Sequence, residues 1–599
     1  MRLLVDAGKN PEAIALRRRW SGNGSPLRSD LYAALAAAYS AAGDFESARA
    51  AWRSAIDATD DSERLAALYL DLGRSQVQAG SLETGGQSFL NVWMSYPLSN
   101  AAPAANSELD AVEARLEARL RIGTGYKRRG DVLYRLRRNE LALAAYDRAL
   151  ASKWLSEEDR NLARRRRGQT LFRLRRYTDA TAAFSALPDG DENRIWRARS
   201  LARAGQPRAA AEMLEALGGR KGSHATRALF LAALLWDGEG ESARARSLFE
   251  GLVKRSARSD YHAAALWRLG WRDYREGHFE SAIAYFETLE EQSSDPIAAL
   301  RGRYWRLRAL ERAGQGDAGA QFAAIVREYP LSYYGWRARN RARARDGKTL
   351  IEEGIEPVEI RVGRSNLAPS DLALPRILLE AGMTPEALDE LNRLFARARG
   401  RDDRLALAQL YADAGDFHSP QRLMVDAYTE SLARGPVPTQ LELWWHAWPA
   451  PFGSHVAAAT DQRSELEPAL VYAVMREESG YRPAVISASG ARGLLQLMPE
   501  TAELVAKGAG MARPSIEDLL VPQINIQLGA LYLGGLVDRF DGRTSAIIGS
   551  YNAGPRVVAR WLERTGGDDD EWVEDISYDQ TRAYVKRVMR SLYAYQVLY

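Results

Sequence analysis

One pattern recurs through the first half of the chain and restricts its fold more than any other feature. A tight turn followed by an alanine-rich amphipathic stretch appears as Gly43-Asp44-Phe45-Glu46-Ser47-Ala48, Gly205-Gln206-Pro207-Arg208-Ala209-Ala210, Gly240-Glu241-Ser242-Ala243 and Gly277-His278-Phe279-Glu280-Ser281-Ala282. Arg137-Arg138-Asn139-Glu140-Leu141 and Arg175-Arg176-Tyr177-Thr178-Asp179 hold the same slot without glycine. The intervals, about 31 to 38 residues, are those of repeated helical hairpins. Such a hairpin buries its apolar face only against its neighbours, so residues 1–345 are expected to stack into an α-solenoid. No convincing period-2 run interrupts the pattern, and the expected fold class is all-α.

The remaining chain divides further. Residues 347–370 are rich in Gly, Pro and charge and read as a connector. Two more hairpin-like pieces follow near Gly382-Met383-Thr384-Pro385 and Gly415-Asp416-Phe417-His418, and an aromatic, Pro-rich run from Trp444 to Phe452 leads into the C-terminal part. Several domains are expected in 599 residues. The division reads as a superhelical part with spacing near that of tetratricopeptide repeats (1–345), a helical linker (346–450) and a C-terminal domain (451–599).

Composition excludes whole classes of chemistry. The chain has no cysteine, which rules out disulfides, zinc–thiolate sites and thiol catalysis. Six scattered histidines lack paired spacing, and neither a phosphate-binding loop nor a Gly-rich dinucleotide turn is present, so no metal or cofactor is expected. Lys plus Arg at 82 nearly balance Asp plus Glu at 78, which speaks against a dedicated nucleic-acid binder. The Arg-rich stretches at 127–129, 135–138 and 164–167 read as solvated helix faces, or as surfaces for anionic peptides or polymers. No run of 18 apolar residues suggests a membrane span. Met1 to Asp6 is too short and too soon charged for a secretory signal.

The chemistry starts from Glu478. The segment Glu467 to Ser479 reads as a helix with Pro468 at its first position. At 100° per residue, Leu470, Val471, Val474 and Met475 form one apolar stripe, and Glu478 falls in its middle. Glu477 lies at the edge and Arg476 points away, so both are expected to meet water more freely. A carboxylate held against apolar surroundings has its pKa raised and becomes a usable general acid near neutral pH.

Glu478-Ser479 is followed by Gly493-Leu494-Leu495-Gln496, by Asn525 to Gly529, and by Tyr551-Asn552-Ala553-Gly554. This ordered set, over roughly residues 460–599, resembles the lysozyme-like catalytic domain of the soluble lytic transglycosylases. Leu495 stands where that family usually has Met, Ser550 where it has Ala, and Gln580 where it commonly has Glu. The helical pattern of the first 450 residues is similar to that of the family's larger members, in which a helical superhelix precedes the catalytic domain.

The resemblance implies cleavage of the β-1,4 bond between N-acetylmuramic acid and N-acetylglucosamine of peptidoglycan, with Glu478 as acid and then base and a 1,6-anhydro product. It also implies a periplasmic location, glycan strands as the partner, and cell-wall proteins as further partners of the solenoid. A single acid fits substrate-assisted cleavage, an exception to the usual two carboxylates. The residues alone leave open a hydrolase, which needs a second carboxylate such as Asp538 or Asp541, and a non-catalytic glycan-binding scaffold. Tyr551 is expected to hydrogen-bond Glu478 or the substrate, and Gln496 an N-acetyl or peptide group. Ser487 is expected at a saccharide, Met498 along the groove and Gln580 on the product side, with Asn552 holding the Tyr551 loop. Tyr584, Val588, Leu592 and Tyr595 fall at i, i+4, i+8 and i+11 and read as a packing stripe.

Overall fold

The computed structural model describes residues 4–5, 7–17, 28–220, 222–255, 259–316, 318–342, 357–461, 463, 465–487, 489–564 and 568–599. It is almost wholly helical, as expected. Among the described residues the sheet structure is one parallel pairing of Pro357–Val358 with Gly435–Pro436. The chain forms two compact units, Met1–Ala265 and Leu266–Tyr599. The expected junction near residue 345 lies outside the described residues, as do Met1 to Leu3 and Asp6 of the N-terminal stretch.

The first unit is a series of helical hairpins. Among them are Arg28–Ala41 with Phe45–Ile56, Ser62–Gln78 with Leu82–Ser95, Gly123–Arg135 with Asn139–Ala151, Glu157–Arg173 with Tyr177–Ser185, and Asp191–Arg203 with Pro207–Gly218. The turns work as the repeat requires. Gly43, Gly205 and Gly240 have φ of 78°, 86° and 81°, the left-handed region that ends a helix most cheaply with glycine. Arg137 and Arg175 adopt the same conformation at φ 56° and 61°, so the repeat geometry is kept at the cost of side-chain strain.

A second register was not read from the sequence. Phe89 packs on Gly73, Tyr146 on Gly130 and Phe184 on Gly168, each aromatic sixteen residues after its glycine; in the other unit Phe286 meets Gly270 at the same spacing. A Cβ at any of these glycines would approach the ring within 2.8 Å, and within 2.4 Å at Gly73. The helices of a hairpin therefore close at a point where one has no side chain and the other a large flat one.

In the second unit, Phe279–Gln292 and Pro296–Arg312 continue the hairpin pattern, followed by Gly319–Glu328 and Tyr333–Arg339. Pro369–Glu380 with Thr384–Arg397, and Gly400–Asp413 with His418–Tyr428, are the two later hairpins, turned at Gly382 (φ 73°) and Gly415 (φ 78°). Trp444 and Trp448 are fully buried, the latter donating to Ser591 Oγ at 3.4 Å. The C-terminal helices include Pro468–Glu478, Pro499–Gly508, Pro522–Arg539, Thr544–Ala553, Pro555–Arg564, Asp569–Asp575 and Asp579–Leu598.

The short acidic helix Asp569–Asp575 lies in a buried ionic cluster. Glu571 accepts from Tyr274 (2.6 Å), Arg308 (3.0 Å) and Arg312 (2.8 Å). Glu574 accepts from Arg301 (2.6 Å), Lys586 (2.7 Å) and Tyr334 (3.0 Å), and Arg337 pairs with Asp569 at 2.7 Å. Tyr304 packs against Trp305 and Tyr334, and both of these also donate to Glu574, at 3.2 and 3.0 Å. Such buried charges persist only because each has several partners.

Candidate active site

Glu478 closes the Pro468–Glu478 helix, whose Leu470 to Met475 are all buried. It packs along the Asp579–Leu598 helix, from which Tyr584 donates a hydrogen bond to Glu478 Oε1 at 2.6 Å. Burial raises the Glu478 carboxyl to about 7; the Tyr584 bond pulls it down and the Glu477 charge pushes it up. A protonated carboxyl available near neutral pH is what a general acid requires.

The neighbouring charges overturn one expectation. Arg476 and Glu477 do not face water: their side chains are only 9% and 10% exposed and pair with each other at 2.6 Å. Glu477 also accepts from Arg587 (3.0 Å) and Ser591 (3.1 Å), so despite burial the cations Arg476 and Arg587 hold its carboxyl below its usual range. Two adjacent glutamates thus have opposite shifts because only one turns toward cations.

Tyr584 is the residue that sequence reasoning missed. Val588 and Leu592 of the same stripe are buried packing residues, and Tyr595 donates to the Pro449 carbonyl at 2.7 Å. A tyrosine in a buried stripe still needs a partner for its hydroxyl, and that requirement was the available signal. Tyr551, expected at Glu478 or the substrate, donates to the Leu495 carbonyl at 2.7 Å; burial and the Glu478 charge together push its own pKa well up.

The loop between Arg482 and Pro499 is held from beneath by Asn525. This fully buried side chain accepts from Leu495 N–H at 2.8 Å and donates to the carbonyls of Arg492 (3.0 Å) and Leu519 (2.8 Å). Gly493 has φ 76°, and a Cβ there would lie 2.1 Å from the Leu519 carbonyl oxygen, so no other residue fits. Gln496 stands at φ 47° and donates from Nε2 to the carbonyls of Val485 (3.0 Å) and Gly493 (2.9 Å). Ser487 Oγ accepts from Ala491 N–H at 2.9 Å and meets Ser489 at 3.0 Å, a local turn contact.

Met498 is half-buried at the N-cap of the Pro499–Gly508 helix, and Gln580 is exposed in the first turn of the last helix. Asn552 Oδ1 accepts from Thr581 Oγ1 at 2.8 Å, which ties the Tyr551 loop to the helix that carries Tyr584. Of the distant acids, Asp538 pairs with Arg463 at 3.1 Å.

Residues 455–573 match the Transglycosylase SLT domain, and residues 127–194 a tetratricopeptide repeat. The C-terminal part of the chain therefore carries a Transglycosylase SLT domain. The soluble lytic murein transglycosylase of Escherichia coli K12 is 37% identical over 130 residues, 21% of this chain and 20% of that one. The endo-type membrane-bound lytic murein transglycosylase A of Klebsiella pneumoniae is 33% identical over 124 residues, 19% of this chain and 61% of the relative. The chain therefore matches only about a fifth of the length of its soluble relative through the SLT domain.

Solved structures extend the likeness in fold. An inactive variant of the Pseudomonas aeruginosa lytic transglycosylase Slt aligns over 96% of this chain and 87% of its own, with TM-score 0.53 and 22% identity. The 70 kDa soluble lytic transglycosylase in complex with bulgecin A aligns over 100% and 90%, with TM-score 0.57 and 17% identity. At these identities the likeness establishes the fold: a long helical-hairpin array followed by a lysozyme-like SLT domain.

Proposed function

We propose that the chain is a peptidoglycan lytic transglycosylase that uses Glu478 as its one catalytic carboxylate. The observation that carries this reading is the environment of Glu478: half-buried, raised to about 7, and contacted by a tyrosine hydroxyl rather than a cation. The protonated carboxyl delivers its proton to the glycosidic oxygen between N-acetylmuramic acid and N-acetylglucosamine, and the C1–O bond breaks. The muramoyl N-acetyl group shares the positive charge that develops at C1. The resulting carboxylate takes the proton of the sugar's own C6 hydroxyl, whose oxygen closes on C1. A 1,6-anhydro end forms and no water is consumed.

An internal nucleophile needs position more than activation, which suits a site with a single acid. Tyr584 orients Glu478 and stabilises the carboxylate left after proton transfer. In this reading Ser487, Gln496, Met498, Tyr551, Asn552 and Gln580 line the substrate groove or hold it, and the division 1–345, 346–450 and 451–599 separates solenoid, linker and catalytic domain. Among the described residues no helix is long and apolar enough to cross a membrane. The substrate assigns the enzyme to the periplasm.

Mass spectrometry of the products released from purified peptidoglycan tests the reading. Muropeptides about 18 Da lighter than hydrolytic ones, the mass of the water not consumed in internal attack, are expected. Free reducing ends instead would mean that water attacks and that a second carboxylate takes part.

A further inference from the structure

Arginines on the first helices of successive hairpins in the Met1–Ala265 unit divide into two kinds. Arg164, Arg165 and Arg167 each pair with a carboxylate, Glu157, Glu192 and Asp147 respectively. Among the described residues, others on these helices form no such ion pair. Arg166 and Arg173, seven residues apart and so on one helix face, both lie over the Tyr134 ring, at 5.2 and 3.4 Å from its centroid. Arg199 lies over Trp196 at 4.3 Å and Phe172 at 5.2 Å, and Arg129 over Trp93 at 4.7 Å. The hydrogen bonds of Arg129 and Arg173 go to backbone carbonyls, of Trp93 and Tyr134, and that of Arg166 to Gln169.

The stacked arginines act on one another. Burial first, and then neighbouring guanidiniums, lower the pKa of Arg173 and Arg199: Arg137 and Arg166 press on Arg173, and Arg227 and Arg203 on Arg199. Arg199 also feels Tyr134, and the Gly123–Arg135, Glu157–Arg173 and Asp191–Arg203 helices pack in sequence. A surface that only needed solubility would place acids between such cations, as the opposite face does. Aromatic stacking keeps the side chains ordered without neutralising them. Each guanidinium retains most of its five N–H donors, in a fork that matches a carboxylate.

We propose that the face carrying Arg166, Arg173 and Arg199 binds a polymer of regularly spaced carboxylates, the peptide stems of peptidoglycan. The choice of stems rests on the functional reading above; the choice of repeated carboxylates rests on the face itself. Adjacent packed helices lie roughly 10 Å apart, so the cations form rows that one small anion cannot satisfy and a polymer can. The face holds substrate chains while the SLT domain cuts them.

The test uses the full chain carrying Glu478→Gln, so that bound polymer is not consumed. Sedimentation with purified peptidoglycan is compared with the same material stripped of its stems by an amidase, and poly-glutamate serves as competitor. With Arg166→Gln, Arg173→Gln and Arg199→Gln added together, affinity for stem-bearing material should fall at least about tenfold. Affinity for stripped glycan should not change, and poly-glutamate should cease to compete. Arg173→Glu alone should give the same direction of change, and an unaltered thermal melt shows that losing the Tyr134 contacts leaves the fold intact.

Equal affinity of parent and both variants for stem-bearing material would overturn the proposal. So would displacement by duplex DNA at lower concentration than by poly-glutamate, which would make the face a nucleic-acid surface. A wild-type chain that releases no product from peptidoglycan would sink the enzyme reading alone, because poly-glutamate binding still reports on the face.

Discussion

Glu478, half-buried, and Glu574, buried, are carboxylates of the same unit, and their acidities lie far apart. Glu478 is raised to about 7, while Glu574, with no exposed side-chain surface, is held at about 2. Burial pushes both upward. What separates them is company: Glu574 has Arg301 and Lys586 within 2.7 Å, and Glu478 has one tyrosine hydroxyl at 2.6 Å. Burial sets how strongly a partner is felt, and the partner sets the sign. One glutamate is thereby kept ready to exchange a proton and the other ready to hold helices together.

The largest break in this comparison is Glu478→Gln, which removes the exchangeable proton. Product release from peptidoglycan should fall by roughly 10² to 10⁴-fold. The same change should not destabilise the protein. Between the ordinary value of 4.5 and about 7 the native state binds more protons at Glu478 than the unfolded chain, so through this group stability falls as pH rises. Denaturant titrations at pH 5 and pH 8 should show a smaller loss of stability with pH in the variant than in the parent.

Glu574→Gln probes the other side. It leaves Arg301 and Lys586 buried without their counter-charge and should cost about 3–5 kcal/mol in unfolding free energy. The sign is opposite to that of Glu478. The depressed pKa contributes stability that is present above pH 4.5 and is lost as pH falls toward about 2. Urea midpoints at pH 7 and pH 3 should lie closer together in the variant.

Tyr584→Phe makes the contrast sharper by removing the one group that lowers Glu478 through a hydrogen bond. The alkaline limb of the pH–activity profile should move to higher pH, while turnover falls about tenfold because the carboxyl loses its orientation. An unmoved limb would mean that Tyr584 serves only packing. The smallest effect is expected in the solenoid. Arg175→Gly, at φ 61°, should relieve left-handed strain and raise stability by up to about 1 kcal/mol in thermal melts.

The repeat turns were the most legible part of this molecule. Gly43, Gly205, Gly240 and Gly277 mark helix ends because left-handed backbone favours glycine, and the same spacing revealed Arg137 and Arg175 in that slot. Glu478 was legible for a similar local reason, since its place on an apolar stripe follows from 100° per residue. Contacts across helices were not. The free exposure expected for Glu477 failed because Arg587 and Ser591, more than a hundred residues away, meet it. Gln496 and Ser487 turned out to bond their own loop, where their short reach to nearby backbone competes with any outside ligand.

The sequence by itself determined the helical class, the hairpin period, the turn positions and the glutamate aimed at apolar surroundings. Each depends on residues within one or two helical turns of one another. Only the tertiary structure decided that Tyr584 rather than Tyr551 meets Glu478, and that Glu477 is ionised beside it. Those outcomes depend on how the Pro468–Glu478 helix packs on a helix 106 residues later, at the resolution of a single hydroxyl. Local periodicity says which face of a helix is buried; it does not say which side chain of the partner helix will stand opposite.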